Sequence, residues 1–147
     1  MQNFDVEEIV AFLSELQQHQ PIFSFAYIMT GSASLYKGVN KHQTWLQMVQ
    51  GEFIHQKKLK NLIAATSLEE VYQLFLSCPL MGGFLSYQYA IDLNYSPVLD
   101  FSENDFVKAG IGAMRGIRKC FTDLEGRSYE DVIRWTQDHM VKLQKKF

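Results

Sequence analysis

Excess charge, cysteine, proline and long apolar runs are all scarce in this chain, and each scarcity removes a class of protein. Fourteen Lys+Arg against sixteen Asp+Glu leave a formal net charge of −2 over 147 residues. Dedicated non-specific DNA binders are as a rule strongly basic, so any nucleic-acid contact must come from a local patch. Two cysteines, Cys78 and Cys120, are too few for a disulfide-built secreted scaffold. Apolar neighbours flank both, Leu76 and Met81 around the first and Ile117 and Phe121 around the second. Both are expected to be reduced core thiols. Three prolines and nine glycines exclude collagenous and low-complexity chains. The longest apolar run, residues 22–29 with Ser24 inside it, is far below a membrane span. The N-terminus, Met1-Gln2-Asn3-Phe4-Asp5 with Glu7 and Glu8 behind it, lacks the positive charge that opens an export signal. A cytoplasmic location, or a nuclear one in a eukaryote, is expected, with no membrane partner. What the chain does have is a 47% hydrophobic, 20% charged composition. That buries a core, and 1–147 has the size of one domain.

Asp5 is placed to cap a first helix whose apolar positions are Val6, Ile9, Val10, Leu13 and Leu16. Pro21 ends it, because the residue before a proline avoids helix. Phe23, Phe25 and Tyr27 alternate through 22–29 as in a strand, yet no second strand is available to pair with them. An isolated strand leaves its backbone unsatisfied, so a buried helix is expected there, followed by a loop at 30–34. Trp45, Met48 and Val49 set a helix over 41–50, and another is expected over 56–64. Ser67 with Glu70 is a capping box ahead of Val71, Leu74 and Phe75. Ser128 with Asp131 is a weaker form of the same device, ahead of Val132, Ile133, Trp135, Met140 and Leu143. The fold class is all-α, with roughly seven helices, no internal repeat and no linker.

Cys78-Pro79-Leu80-Met81-Gly82-Gly83-Phe84 separates two helical patterns, the second running through Leu85, Tyr87, Gln88, Ala90, Ile91 and Leu93. Helix, glycine-containing turn, helix is the layout of a helix-hairpin-helix element, where backbone N–H groups and a helix N-terminus meet a DNA phosphate. Most such connections are only turns, and spacing alone leaves both readings open. The following segments run from Gly83 through Tyr87, Gln88, Asp92, Leu93, Tyr95 and Ser96. They continue through Asp100-Phe101-Ser102-Glu103-Asn104-Asp105-Phe106-Val107 to Ala109-Gly110-Ile111-Gly112-Ala113. Together they resemble the signature of the alpha-glutamyl/putrescinyl thymine pyrophosphorylases. This DNA-glycosylase-like helical family includes the helical domain attached to 5-hydroxymethyl-deoxyuridine DNA kinases. Its pattern is a GxFxAYQ…DLxYS helix, a DF…NDFVxAGxGA segment and a GxRK helix, and Gly116, Arg118 and Lys119 fall in step with the last. The resemblance covers 79–121, with fainter traces at 25–31, Trp135 and His139. Leu80 departs from it at the first hairpin glycine, and Ile111 at the proline of the usual GPGA turn. Beside that family the chain reads as short at both ends: a fragment, one part of a split gene, or a minimal relative.

The resemblance implies a helix-hairpin-helix, glycosylase-like domain acting on modified DNA. An amine from an amino acid or polyamine would displace pyrophosphate from a pyrophosphorylated hydroxymethyl-uracil base. Such chemistry needs an apolar pocket for the base, donors or positive charge for the leaving group, and a carboxylate to take the amine's proton. Asp105 and Asp100 are the candidate catalytic carboxylates, near the distance from Gly82 at which the resemblance places a catalytic Asp. On residues alone, Asp100 equally caps a turn and Asp105 equally serves as a first-turn helix acid. Gly82, Gly83, Gly110, Gly112, Arg115, Arg118 and Lys119 are candidate DNA or phosphate contacts. Gly112 and Gly116 alternatively permit close helix packing. Phe84, Tyr87, Gln88, Asp92 and Tyr95 are candidates for a base pocket, with Tyr87 and Tyr95 as core residues on the other reading.

Several chemistries are excluded. Phe84 stands where the resemblance would place the Schiff-base lysine of a lyase. The run Gly110 to Gly116 misses the dinucleotide fingerprint at Arg115 and follows no strand. No Walker lysine motif is present, so the chain is not itself a P-loop kinase. His19, His42, His55 and His139 lack metal-ligand spacing, and neither metal nor cofactor is expected. Lys57-Lys58-Leu59-Lys60 and Lys142, Lys145 and Lys146 read as solvated helix faces or as contacts to DNA backbone. The expected function is a DNA-modifying transferase, with DNA as partner and a kinase or other subunit beside it. A non-catalytic DNA- or protein-binding module and a partner-dependent part of a split enzyme are the alternatives, and the acidic balance favours these two.

Overall fold

The computed structural model describes residues 4–24 and 35–144. Its regular structure is helical throughout: α1 (Val6–His19), α2 (Lys41–Val49), a π-helical continuation (Gln50–His55), α3 (Lys58–Ile63), α4 (Leu68–Leu76), α5 (Gly83–Asn94), α6 (Ile111–Cys120) and α7 (Tyr129–Gln144). Among the described residues no helix is long and apolar enough to cross a membrane.

The caps show how local chemistry starts these helices. Asp5 accepts from the N–H groups of Glu7 and Glu8, two donors that the first turn of α1 leaves without partners. The Ser67 hydroxyl accepts from Glu70 N–H at 3.2 Å, but the Glu70 carboxylate turns to the N–H and hydroxyl of Thr66 rather than back to Ser67. Ser128 and Asp131, the weaker pair on paper, close the reciprocal box: Asp131 N–H donates to Ser128 Oγ and Ser128 N–H to Asp131 Oδ2.

Three expectations change. Helix α2 does not stop at Gln50 but runs on as a π-helical turn to His55, and Lys57, at φ 60, breaks it from α3. The wider turn carries Glu52 into the interior, a displacement that a 3.6-residue pattern does not register. Ile22 to Ser24 are not helical after the extended Gln20 and Pro21; the rest of the expected 22–29 helix and the 30–34 loop lie outside the described residues. Cys78 is buried as expected, whereas Cys120, in the last turn of α6, is exposed because that helix buries only Ile117.

Among the described residues, helices α4 and α5 make the most extensive helix packing, folding back on each other through the turn at Ser77, Cys78, Pro79, Leu80, Met81 and Gly82. Leu62, Leu68, Val71, Tyr72, Phe75, Ala90 and Leu99 form the main core around this pair. Trp45, Met48, Cys78 and Leu85 form a second cluster beneath the turn. The turn itself takes part in this packing: Cys78 is buried and Leu80 and Met81 are half-buried against the second cluster, with only Ser77 and Gly82 exposed.

Candidate functional site

Helices α5 and α6 both begin at a glycine, Gly82 and Gly110, in extended conformation and with no side-chain cap. Their first internal bonds are Ser86 N–H to Gly82 C=O at 2.9 Å and Met114 N–H to Gly110 C=O at 3.0 Å. The N–H groups of Gly83, Phe84 and Leu85, and those of Ile111, Gly112 and Ala113, therefore have no acceptor within their own helices. Both ends open on one cleft of about 780 Å³, lined by Tyr72, Gly83, Phe84, Tyr87, Gln88, Lys108, Ala109, Gly110, Ile111, Gly112, Ala113 and Met114. The first turns of both helices, whose donors find no acceptor within the helix, thus border one cleft with mostly apolar walls.

Lining residues Tyr72 and Tyr87 are aromatic. Phe106, outside the lining, packs between them, at 5.1 Å from Tyr72 and 6.1 Å from Tyr87 between ring centroids. Burial pushes the Tyr87 hydroxyl above the usual tyrosine range, against the opposing effect of a backbone hydrogen bond from Lys108. The Lys108 ammonium lies 5.8 Å from the centre of the Tyr72 ring, which puts a cation at the cleft. At the rim, Phe84 is 62% and Ile111 66% exposed, two large apolar side chains in water beside the uncapped helix ends.

Neighbouring elements hold this geometry. Asn94, at the end of α5, exchanges two hydrogen bonds with Phe101, accepting from its N–H at 2.9 Å and donating to its C=O at 2.8 Å. From α7, Arg134 donates to the Asn104 carbonyl at 3.1 Å, and the Glu130 carboxylate accepts from Ala109 N–H at 3.0 Å. The last bond pins the residue immediately before Gly110. The bond from Ala109, outweighing burial, holds the Glu130 carboxyl below the usual glutamate range. An unfolded chain lacks the bond, so its contribution is complete above the ordinary glutamate pKa and disappears as pH falls through the depressed folded value. Glu130→Ala is therefore expected to lower the urea midpoint at neutral pH, with the gap to wild type closing on acidification. A gap independent of pH contradicts the clamp.

The sequence candidates separate into two groups. Gly83, Gly110 and Gly112, proposed for phosphate, and Phe84, Tyr87 and Gln88, proposed for a base, line the same cleft. Asp92 and Tyr95 lie outside its lining, and Tyr95 is 73% exposed rather than a core residue; the Glu103 hydrogen bond, followed by that residue's charge, raises its pKa. Asp100 and Asp105 sit exposed on the connection between α5 and α6, and Asp105 is in a turn, not in a helix. Arg115, Arg118 and Lys119 project from the exposed body of α6, where Arg118 donates to the Tyr129 hydroxyl at 2.7 Å and stacks over its ring. The packing alternative for Gly112 and Gly116 fails, since a Cβ at either would meet nothing within 4 Å. Lys108 and Glu130 escaped the sequence reading. A cation two places before Gly110 was the available signal for the first, and nothing local announced the second.

The family model described as "5-hmdU DNA kinase, helical domain" matches residues 1–147. The chain is 24% identical over 135 residues to the 5-hmdU DNA kinase of Bacillus phage SP10, covering 84% of this chain and 21% of that protein. It thus spans about a fifth of the length of this curated relative. No solved structure matches it significantly. With the match running from the first residue to the last, the chain belongs to the 5-hmdU DNA kinase helical domain family.

Proposed function

We propose that this chain takes part in the modification of hydroxymethyl-uracil in DNA, and that the α5–α6 cleft holds a pyrophosphorylated hydroxymethyl-uracil base for transfer to an amine. The observation that carries the reading is the convergence of two uncapped glycine N-termini and Lys108 on one apolar-walled cleft. In the proposed step the amine nitrogen forms a bond to the hydroxymethyl carbon. The carbon–oxygen bond breaks, pyrophosphate leaves with the electron pair, and the amine gives up a proton. Developing charge on the pyrophosphate is met by the free N–H groups of α5 and α6 and by Lys108. Phe84 and Tyr87 offer faces to the base, and the Gln88 amide offers both a donor and an acceptor to its edge. The turn through Gly82 acts as the helix-hairpin-helix element of a glycosylase-like domain, with Arg115, Arg118 and Lys119 along the DNA backbone.

Asp105 is the proposed proton acceptor, with Asp100 second. Asp105→Asn is then expected to lower turnover by about a hundredfold or more while leaving pyrophosphate affinity unchanged. Equal turnover removes it from the mechanism. A second reading, a domain that binds the modified base without transforming it, draws on the position of both carboxylates outside the cleft lining. Because the SP10 relative is a 5-hmdU DNA kinase nearly five times longer than the matched region, a kinase unit that phosphorylates the hydroxymethyl group is the proposed partner.

The test is incubation with DNA carrying a pyrophosphomethyl-uracil base and a mixture of amines, followed by digestion and nucleoside mass analysis, alongside a binding titration at two salt concentrations. An amine-bearing nucleoside supports transfer. Salt-sensitive binding without conversion favours the binding module, and absence of binding overturns both.

A further inference from the structure

Beneath the hairpin lies a charged cluster for which the cleft chemistry has no use. Glu52 is only 3% exposed, and its carboxylate is met by Lys58 Nζ at 2.6 Å, by the Tyr36 hydroxyl at 2.9 Å and by the Gln56 amide at 3.4 Å. The Lys58 ammonium does not end there. It lies 3.0 Å from Ser77 Oγ, 3.4 Å from the Ser77 carbonyl and 3.6 Å from Cys78 Sγ. Ser77 is the C-cap of α4, where a cation answers the negative helix end. Cys78 opens the turn to α5, and its carbonyl accepts from Met81 N–H at 3.3 Å, one residue before Gly82.

A buried ion pair is a poor source of stability, because desolvation offsets most of its attraction and apolar residues of similar size often do as well. What it supplies is a fixed geometry. The π-helical turn that brings Glu52 inward is itself a departure of the kind found at functional segments. Burial pulls the Lys58 pKa down, but the Glu52 hydrogen bond together with Cys78 and the Glu52 charge outweighs it, so the net shift is upward and the ammonium stays charged. Burial pushes the Cys78 thiol up, against the opposing pull of the Lys58 charge.

We propose that Glu52 and Lys58 are a positioning pair for the cleft: they tie the end of α4 and the turn after it so that the uncapped N-terminus of α5 is aimed at the bound anion. The proposal rests on the reading of the cleft as a pyrophosphate site. Its test compares wild type with the Glu52→Gln/Lys58→Met double variant, measuring thermal unfolding, calorimetric binding of inorganic pyrophosphate, and amide hydrogen exchange at residues 81–85. The double variant is expected to unfold cooperatively near the wild-type temperature, to bind pyrophosphate about five- to tenfold more weakly, and to exchange faster at those amides. A double variant that binds as tightly as wild type overturns the proposal and leaves the cleft reading intact. A wild-type chain that does not bind pyrophosphate overturns the cleft reading, and the proposal with it. If the double variant does not fold, Ser77→Ala carries the comparison at an exposed position, removing one Lys58 contact together with the hydroxyl's bond to the Leu74 carbonyl, whose loss the unfolding temperature reads. Weaker binding at an unchanged unfolding temperature supports the pair's role, and unchanged binding overturns it.

Discussion

Replacing Gly110 with aspartate is expected to leave the chain folded and slightly more stable while removing most of its affinity for pyrophosphate. Gly110 sits at φ −71° and ψ 166°, an ordinary N-cap conformation open to any residue, and a Cβ there meets nothing within 4 Å. An aspartate at this position accepts from the free N–H groups of Gly112 or Ala113 and sets a negative charge against the α6 N-terminus. Both effects favour the helix, by a few tenths of a kcal/mol relative to glycine for the cap itself. The same donors are the ones proposed to hold the anion, and the new carboxylate repels what it does not displace. Affinity is expected to fall by a factor on the order of ten to a hundred. Opposite movement of stability and binding is the signature: a merely damaged fold loses both, and a cleft with no anionic ligand loses neither. Gly82→Asp, at φ −93° and ψ 169°, is expected to behave alike at the other helix end.

The largest loss of stability is expected from Gly51→Ala, one residue before the buried Glu52. A Cβ at Gly51 overlaps the Tyr36 hydroxyl and comes within 2.9 Å of two carbons of its ring. The end of that side chain is not free to swing away. Its hydroxyl donates to the buried Glu52 at 2.9 Å, and its ring packs against the Trp45, Met48 and Cys78 cluster. Relief requires Tyr36 to leave, which opens packing and takes one donor from a buried carboxylate. A cost of about 2–4 kcal/mol follows from these two effects together, read as a lower urea midpoint with an unchanged slope. Tyr36→Ala is costly by itself, but with the ring gone Gly51→Ala adds little. A double-mutant cycle that comes out additive contradicts this account.

These two glycines also show what the sequence made legible. Gly110 lies in a motif that could be read in line, because an uncapped helix start is a local event: glycine in place of Ser, Asp or Asn is visible in the chain. The helices with strong apolar spacing, α1, α4 and α7, and the caps Asp5, Ser67 and Ser128 were legible for the same reason. Gly51 gives no such signal, since its constraint comes from Tyr36, fifteen residues earlier, and from a π-helical turn whose period differs from the one being sought. The helix expected from Ile22 is absent through Ser24 because the lack of a pairing strand does not by itself favour a helix, and the chain already leaves α1 through an extended Gln20 followed by Pro21. At the site, Phe84, Tyr87 and Gln88 were nominated from one segment and Gly110 and Gly112 from another, and only the fold brings them to one cleft. Lys108 and Glu130 were missed because a cleft cation and a clamp 21 residues away in sequence are defined by packing, not by spacing.

The proposed function depends on the N-termini of α5 and α6 jointly holding a pyrophosphate group. The most direct measurement is a titration of the isotope-labelled chain with inorganic pyrophosphate, followed by amide nitrogen–proton spectra. Joint binding is expected to give saturable shifts concentrated at the amides of Gly83, Phe84, Gly112 and Ala113, with a smaller response at Lys108. Shifts confined to the exposed lysines, Lys57 and Lys60 among them, or no saturable shift at all, would contradict it.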